Sequence, residues 1–139
     1  MKSFKEYLEE KKDPNRTNDT AWVILHTANK IILGKRAPGT NNPNQWNFFG
    51  GHVDKGETPK EAAVRELFEE TSFKIAVGSL KEISVIGNAH YFSARTETPM
   101  DVKTTGEISK VTQYKLTDLP NNLHSKTQNF FDKLDNLLS

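Results

Sequence analysis

The chain has no cysteine, only two methionines and two tryptophans, and no long apolar run. Without cysteine there can be no disulfide framework, no thiolate nucleophile and no sulfur ligand for zinc or an iron–sulfur cluster. Without a run of about 20 apolar residues, neither a helical membrane span nor a secretory signal is expected. An excess of one charge is missing too. Lys and Arg number 19 against 18 Asp and Glu, a formal net charge of +1. That balance argues against a dedicated nucleic-acid surface and against an acidic tail. Internal repeats and low-complexity tracts are also absent. What remains is a polar chain of 139 residues, 35% hydrophobic and 27% charged. It is long enough for one domain with a buried core, and the lack of cysteine and of apolar runs fits a cytoplasmic location.

The informative feature is an acidic helix. Residues 58–71 carry Glu66, Glu69 and Glu70 on one face and Val64, Leu67, Phe68 and Thr71 on the other. At about 100° per residue the three carboxylates fall within roughly a 100° arc. Like charges three and four residues apart repel, and an anion near a helix C-terminus opposes the dipole. The cluster therefore calls for a cation, and hard carboxylate oxygens suit Mg²⁺, Mn²⁺ or Ca²⁺. Thr58 reads as the N-cap, Pro59 as the first helical residue and Glu61 as the partner in a capping box. Gly50, Gly51 and Gly56 precede the cap, so the unit is strand, glycine loop, acidic helix. Arg65 is spaced to pair with Glu69, and with Glu57 in the loop, and so to fix carboxylate rotamers.

In this order (Gly51, Glu57, Arg65-Glu66-Leu67, Glu69-Glu70) the segment resembles the Nudix box, the signature of hydrolases of nucleoside diphosphates linked to another moiety. Ser72 and Phe73 stand where the family has glycine and an aliphatic residue. The resemblance extends over most of residues 20–138. It implies a Nudix-type α/β/α sandwich with a mixed β-sheet, and water attack at phosphorus with Mg²⁺ or Mn²⁺ as cofactor. Glu66 and Glu70 are the foremost expected metal ligands, Glu69 the next, with a backbone carbonyl at Gly50 or Gly51 completing the shell. Glu57 and Arg65 are expected as orienting partners. Glu107, just after Gly106 and ahead of a strand, is the candidate general base outside the box, with Asp101 behind it.

For substrate, Arg36 is the expected phosphate contact, since its planar fork suits phosphate. Trp46, Asn47, Gly50 and Gly51 resemble the branch that hydrolyses oxidised purine nucleoside triphosphates, in which the asparagine contacts the base. Asn121-Asn122 stand where that branch has two aspartates. Tyr91 lies near the tyrosine of the dinucleoside polyphosphate branch, and the proline of the ADP-ribose branch has no counterpart here. The expected partner is a small nucleotide. The resemblance also allows a homodimer, though no interface is legible, and a nucleotide-binding module of the same fold is the alternative from another class. The four histidines lack a zinc spacing; His52, in the glycine loop, reads as a surface residue.

The rest of the chain reads as strands at 21–27, 30–35, 46–49, 74–86, 89–95 and 108–116, and a C-terminal helix over 126–138. Residues 1–19 read as a separate amphipathic segment and 20–139 as the domain. Residues 1–10 resemble the capsid-targeting start of internal head proteins of tailed phages. A short helix packed on the domain through Phe4, Tyr7 and Leu8 is the preferred expectation for this segment.

Overall fold

A computed structural model of the chain describes residues 15–96 and 106–138, with side chains to residue 133 in the second stretch. The expectations for residues 1–14 and for Asp101 lie outside the described residues. Seven strands form one mixed sheet: β1 Arg16–His26, β2 Lys30–Arg36, β3 Trp46–Asn47, β4 Phe49–Asp54, β5 Lys81–Ile86, β6 Ala89–Arg95 and β7 Ile108–Lys115. Helix α1, Pro59–Thr71, follows β4, and helix α2, Ser125–Leu138, closes the chain. The spatial order is β3-β2-β1-β6-β5, with β4 also paired to β1 and β7 to β2.

β1 organises the molecule. One edge runs parallel to β6 from Thr20 to His26. The other edge is shared: residues as far as Val23 pair antiparallel with β4, and only Leu25 and His26 pair with β2. The sheet therefore forks between β4 and β2. Strand alternation sends Ala21, Val23 and Leu25 to one face, where they pack with Ala62, Ala63 and Leu67 of α1. Trp22 and Ile24 go to the other face, with Phe130 and Phe131 of α2. Helices on both faces of a mixed sheet make the expected α/β/α sandwich.

Three local expectations change. β1 begins at Arg16, which pairs with Asp54, so residues 16–19 belong to the sheet rather than to a separate segment. The strand expected over 74–86 exists only from Lys81, because a 3₁₀ turn at Val77–Ser79 interrupts it around Gly78. Phe68, expected on the buried face of α1, is 50% exposed; it lies about 100° round the helix from Leu67 and so misses the sheet.

Candidate active site

Helix α1 starts as its sequence dictates. Thr58 Oγ1 accepts from Glu61 N–H at 3.2 Å, and Glu61 Oε1 accepts from Thr58 N–H at 2.9 Å, a complete capping box. The helix buries Ala62, Ala63, Leu67, Glu70 and Thr71. At about 100° per residue Ala63, Leu67 and Glu70 lie within about 60° of one another. Glu70 thus stands in the middle of the apolar stripe, not on a solvated acidic face, while Glu66 stands at its edge and Glu69 points outward.

That placement carries the chemistry. Glu70 is only 4% exposed, and its Oε1 accepts from Gly50 N–H at 2.8 Å. Burial pushes its carboxyl well above the usual carboxylate range, and the nearby Glu66 charge adds to the effect. Burial likewise pushes Glu66 up to about 7, against the pull of Arg65. The two glycines make this proximity possible. A Cβ on Gly50 would lie 2.1 Å from the Ala21 carbonyl oxygen, and one on Gly51 would lie 2.7 Å from the Glu66 carboxyl. A side chain at Gly50 would force β4 away from β1, and one at Gly51 would displace the Glu66 carboxyl.

Arg65 ties the loop to the helix. Its Nη2 lies 2.7 Å from Glu57 Oε1 and 3.5 Å from Asp54, and donates to the His52 carbonyl at 3.1 Å. Its Nη1 lies 3.1 Å from Glu66 Oε1 and 3.3 Å from Glu69 Oε2. Glu57 also accepts from Asp54 N–H at 2.9 Å, and the Arg65 hydrogen bond holds its carboxyl below the usual range. Asp54 is a member of this group that reasoning from the sequence misses. Its place in the turn that Glu57 N–H closes on the Asp54 carbonyl is the signal that could have found it.

Across the fork stand Arg36, at the end of β2, and Glu107, just ahead of β7. The Arg36 charge acts on Glu70, and the Glu107 charge acts on both Glu66 and Glu70. Glu107 is exposed, and its carbonyl accepts from Ala37 N–H at 2.9 Å, which anchors it to the loop after β2. The Arg36 Nε donates to the Asn41 carbonyl. His52 Nδ1 lies 3.3 Å from the Thr17 carbonyl, and burial together with Arg16 lowers its pKa.

Two expected substrate contacts are packed as core residues. Tyr91 is 1% exposed; its ring lies between Phe48 and Phe130, and its hydroxyl donates to the Lys126 carbonyl at 3.0 Å. Trp46 is buried edge-on to Tyr114 at 5.1 Å. Both are large rings in the core on the α2 side of the sheet. Asn47 is buried as well, with its Oδ1 accepting from Thr127 Oγ1.

Among the described residues no three carboxylate or histidine side chains are grouped so that they could hold a metal ion unaided. Glu66 and Glu70 form the inner pair, and Glu69 is engaged with Arg65 instead. The donor set nevertheless fits a hard divalent cation. Two carboxylates are held close by glycine backbone, both resist ionisation, and among the described residues no cationic side chain is bonded to Glu70. Mg²⁺ is commonly held by one or two carboxylates together with substrate phosphates.

A family model of the NUDIX domain matches residues 16–134. Over 58 residues the chain is 42% identical to an RNA pyrophosphohydrolase of Azorhizobium caulinodans, covering 40% of this chain and 34% of the relative. Over 48 residues it is 42% identical to an 8-oxo-dGTP diphosphatase of Escherichia coli, covering 34% and 37%. The chain thus spans about a third of the length of these curated relatives. Among solved structures it is similar to a MutT NUDIX hydrolase from Burkholderia pseudomallei, with a TM-score of 0.70 at 20% identity, covering 81% of this chain and 94% of that one. It is also similar to a C. elegans Ap4A hydrolase, with a TM-score of 0.63 at 20% identity, covering 86% and 98%.

Proposed function

The chain belongs to the NUDIX family, and from that premise we propose that it is a divalent-cation-dependent pyrophosphohydrolase of nucleoside triphosphates or other nucleoside diphosphate-linked compounds. The observation that carries this reading is the buried Glu70 beside the half-buried Glu66, packed against Gly50 and Gly51, with Glu70 accepting from a backbone N–H. Relatives named as an RNA pyrophosphohydrolase and an 8-oxo-dGTP diphosphatase support the same bond type.

Glu66 and Glu70, with Glu69 beside them, would hold Mg²⁺ or Mn²⁺. The chemistry the cation would supply there is neutralisation of phosphate oxygens and a lowered pKa of bound water. The remaining work falls to the chain's own groups. Arg36 binds a phosphate oxygen across the fork. Glu107 takes the proton of the attacking water at its carboxylate. Arg65, held by Glu57 and Asp54, keeps the β4 loop and α1 in register, so the carboxylates do not need to reorganise during reaction. No helix among the described residues is long and apolar enough to cross a membrane, and cytoplasmic nucleotides are the proposed substrates.

The test is a panel of nucleoside triphosphates, dinucleoside polyphosphates and ADP-ribose, incubated with Mg²⁺ and with Mn²⁺, with products identified by mass. Turnover that stops on chelation and yields a nucleoside monophosphate or diphosphate supports the reading. Turnover that survives exhaustive chelation overturns it. Tight nucleotide binding without turnover in either metal would instead make the chain a binding module.

A further inference from the structure

We propose that an apolar cavity on the opposite face of the sheet from the carboxylates binds a small amphipathic carboxylic acid. The acyl chain fills the cavity and the carboxylate meets two lysines that line it. The inference stands apart from the nucleotide reading above and concerns a second site.

The cavity has a volume of about 380 Å³ and lies where α2, the turn between β1 and β2, and the edge strand β5 meet. Its floor is Ile24 and Ile31 of the sheet with Phe130 and Phe131 of α2, all buried. The mouth is apolar too, but it is open to water: Ile83 is 43% exposed and Leu116 59%. The path of β5 explains Ile83. Glu82 pairs with Phe92 and Ser84 with Tyr91, so Ile83 is the extra residue of a bulge. Regular alternation would send Ile83 and Ser84 to opposite faces, yet both line the cavity. The bulge therefore brings a large apolar side chain to the mouth and leaves it uncovered among the described residues.

Volume and charge together say what fits. The volume is that of a small-molecule site, and a concave apolar floor suits one compact ligand better than a flat protein face. Lys30 and Lys133 line the cavity, and no carboxylate among the described residues does. Neither lysine has an ion-pair partner among the described residues. The α2 carboxylate beside Lys133, Asp132, accepts instead from Gln128 Nε2 at 2.8 Å. A second copy docked on this mouth about a two-fold axis would bring the lysines of both copies together, and like charges repel. An apolar chain ending in a carboxylate meets the floor with the chain and the lysines with the head. Removal of the chain from water supplies most of the affinity, and the lysines add a salt-sensitive attraction that selects the sign of the head.

The experiment is isothermal titration calorimetry of the full chain with octanoate, octanol and octyltrimethylammonium, which share an apolar chain and differ in head charge. Octanoate should bind one to one and at least about fivefold more tightly than octanol, the factor that two exposed ion pairs supply. Octyltrimethylammonium should bind most weakly. The advantage of octanoate should shrink at about 1 M salt, where the lysines are screened. Lys30→Gln combined with Lys133→Gln should leave octanol binding unchanged and remove that advantage. Leu116→Glu sets a negative charge at the mouth in an exposed position, and should weaken octanoate by at least about tenfold with little change in melting temperature. Should Leu116→Glu fail to fold, the double lysine variant still decides the matter. Octanoate that binds no more tightly than octanol, or that binds the double lysine variant as well as wild type, overturns the proposal. So does the absence of octanoate binding up to about 3 mM. Self-association of the ligand-free chain that Leu116→Glu abolishes, measured by sedimentation, would give the mouth to a second copy and overturn the proposal as well.

Discussion

Two groups of charges stand side by side on α1 and are handled in opposite ways. Around Arg65, four carboxylates (Asp54, Glu57, Glu66 and Glu69) lie within 3.5 Å of one guanidinium. Half a turn away, Glu70 is buried in the apolar stripe, bonded among the described residues to a single backbone N–H. Glu66 belongs to both groups. The first is satisfied by a cation that is part of the chain; the second is left short of positive charge. A protein that needed only a stable helix would neutralise or exclude Glu70, because a buried unpaired carboxylate is costly. Keeping it there makes sense where an exchangeable cation completes the group during function.

The comparison breaks most sharply at Glu70. Glu70→Gln keeps the hydrogen bond from Gly50 N–H but removes the charge. Turnover should fall by on the order of 10²–10³, as for loss of a main electrostatic stabiliser. Glu66→Gln should behave similarly, and Glu107→Gln tests the proposed base. Near-wild-type turnover in Glu70→Gln would remove the residue from the site. The same variant should melt no lower than wild type in metal-free buffer at pH 8, and it should lose most of the stabilisation that Mg²⁺ gives wild type.

The two groups also respond to pH with opposite signs. Glu66 has its folded pKa raised from 4.5 to about 7. The folded state therefore holds that proton more tightly, and the metal-free protein loses stability as pH rises from 4.5 through 7, by on the order of a few kcal/mol. Glu70 shifts in the same direction. Glu57 has its pKa lowered from 4.5, so its contribution is present above that value and lost as pH falls through the folded pKa. Metal-free melting temperature should peak near about pH 5. The rise on adding Mg²⁺ should be larger at pH 8 than at pH 5, since a cation must displace any proton on its ligands. A metal-induced rise that is the same at both pH values would mean that the cation does not bind Glu66 and Glu70.

Breaking the other group should cost less. Glu57→Gln removes the tightest contact of Arg65 but leaves the inner carboxylates in place. Stability should fall by about 1 kcal/mol, because the pair stands near the surface. Turnover should fall far less than in Glu70→Gln. Urea denaturation and steady-state kinetics on the same preparations check both. A Glu57→Gln enzyme as impaired as Glu70→Gln would mean that Arg65 contributes directly to the chemistry.

Local signals in the amino-acid sequence make much of this legible. The capping box at Thr58–Glu61 depends on residues three apart, and the α1 register follows from it. The sandwich follows from alternation in β1, whose two faces bury separate cores. What the sequence hides depends on long-range packing. Nothing in the spacing of Glu66, Glu69 and Glu70 tells which of the three is buried; that is decided by the approach of β4, which Gly50 and Gly51 allow. Trp46, Asn47 and Tyr91 sit near the box in sequence, yet α2 claims all three through Tyr114, Thr127 and Phe130, on the elements before and within it. The fork between β4 and β2, which brings Arg36 and Glu107 to face the helix, is a matter of register and has no local signature.

The gentlest test lies at the end of α1. Ser72 closes the helix in the left-handed region, at φ 62° and ψ 9°, with its N–H on the Phe68 carbonyl at 2.8 Å. Glycine takes this conformation without the clash of a Cβ, so Ser72→Gly should stabilise the fold by up to about 1 kcal/mol. In a domain of this size that corresponds to a rise of about 3 °C in melting temperature. Ser72 stands only two residues beyond Glu70. If the carboxylate is placed by the stripe that Ala63 and Leu67 bury, relaxing the cap leaves kcat unchanged. A change in kcat with the same gain in stability would show that strain at the cap reaches Glu70, and that the boundary between the satisfied and the unsatisfied charges is set partly by how the helix ends. An unchanged melting temperature would mean instead that the serine adopts this cap at no cost, through contacts that glycine cannot make.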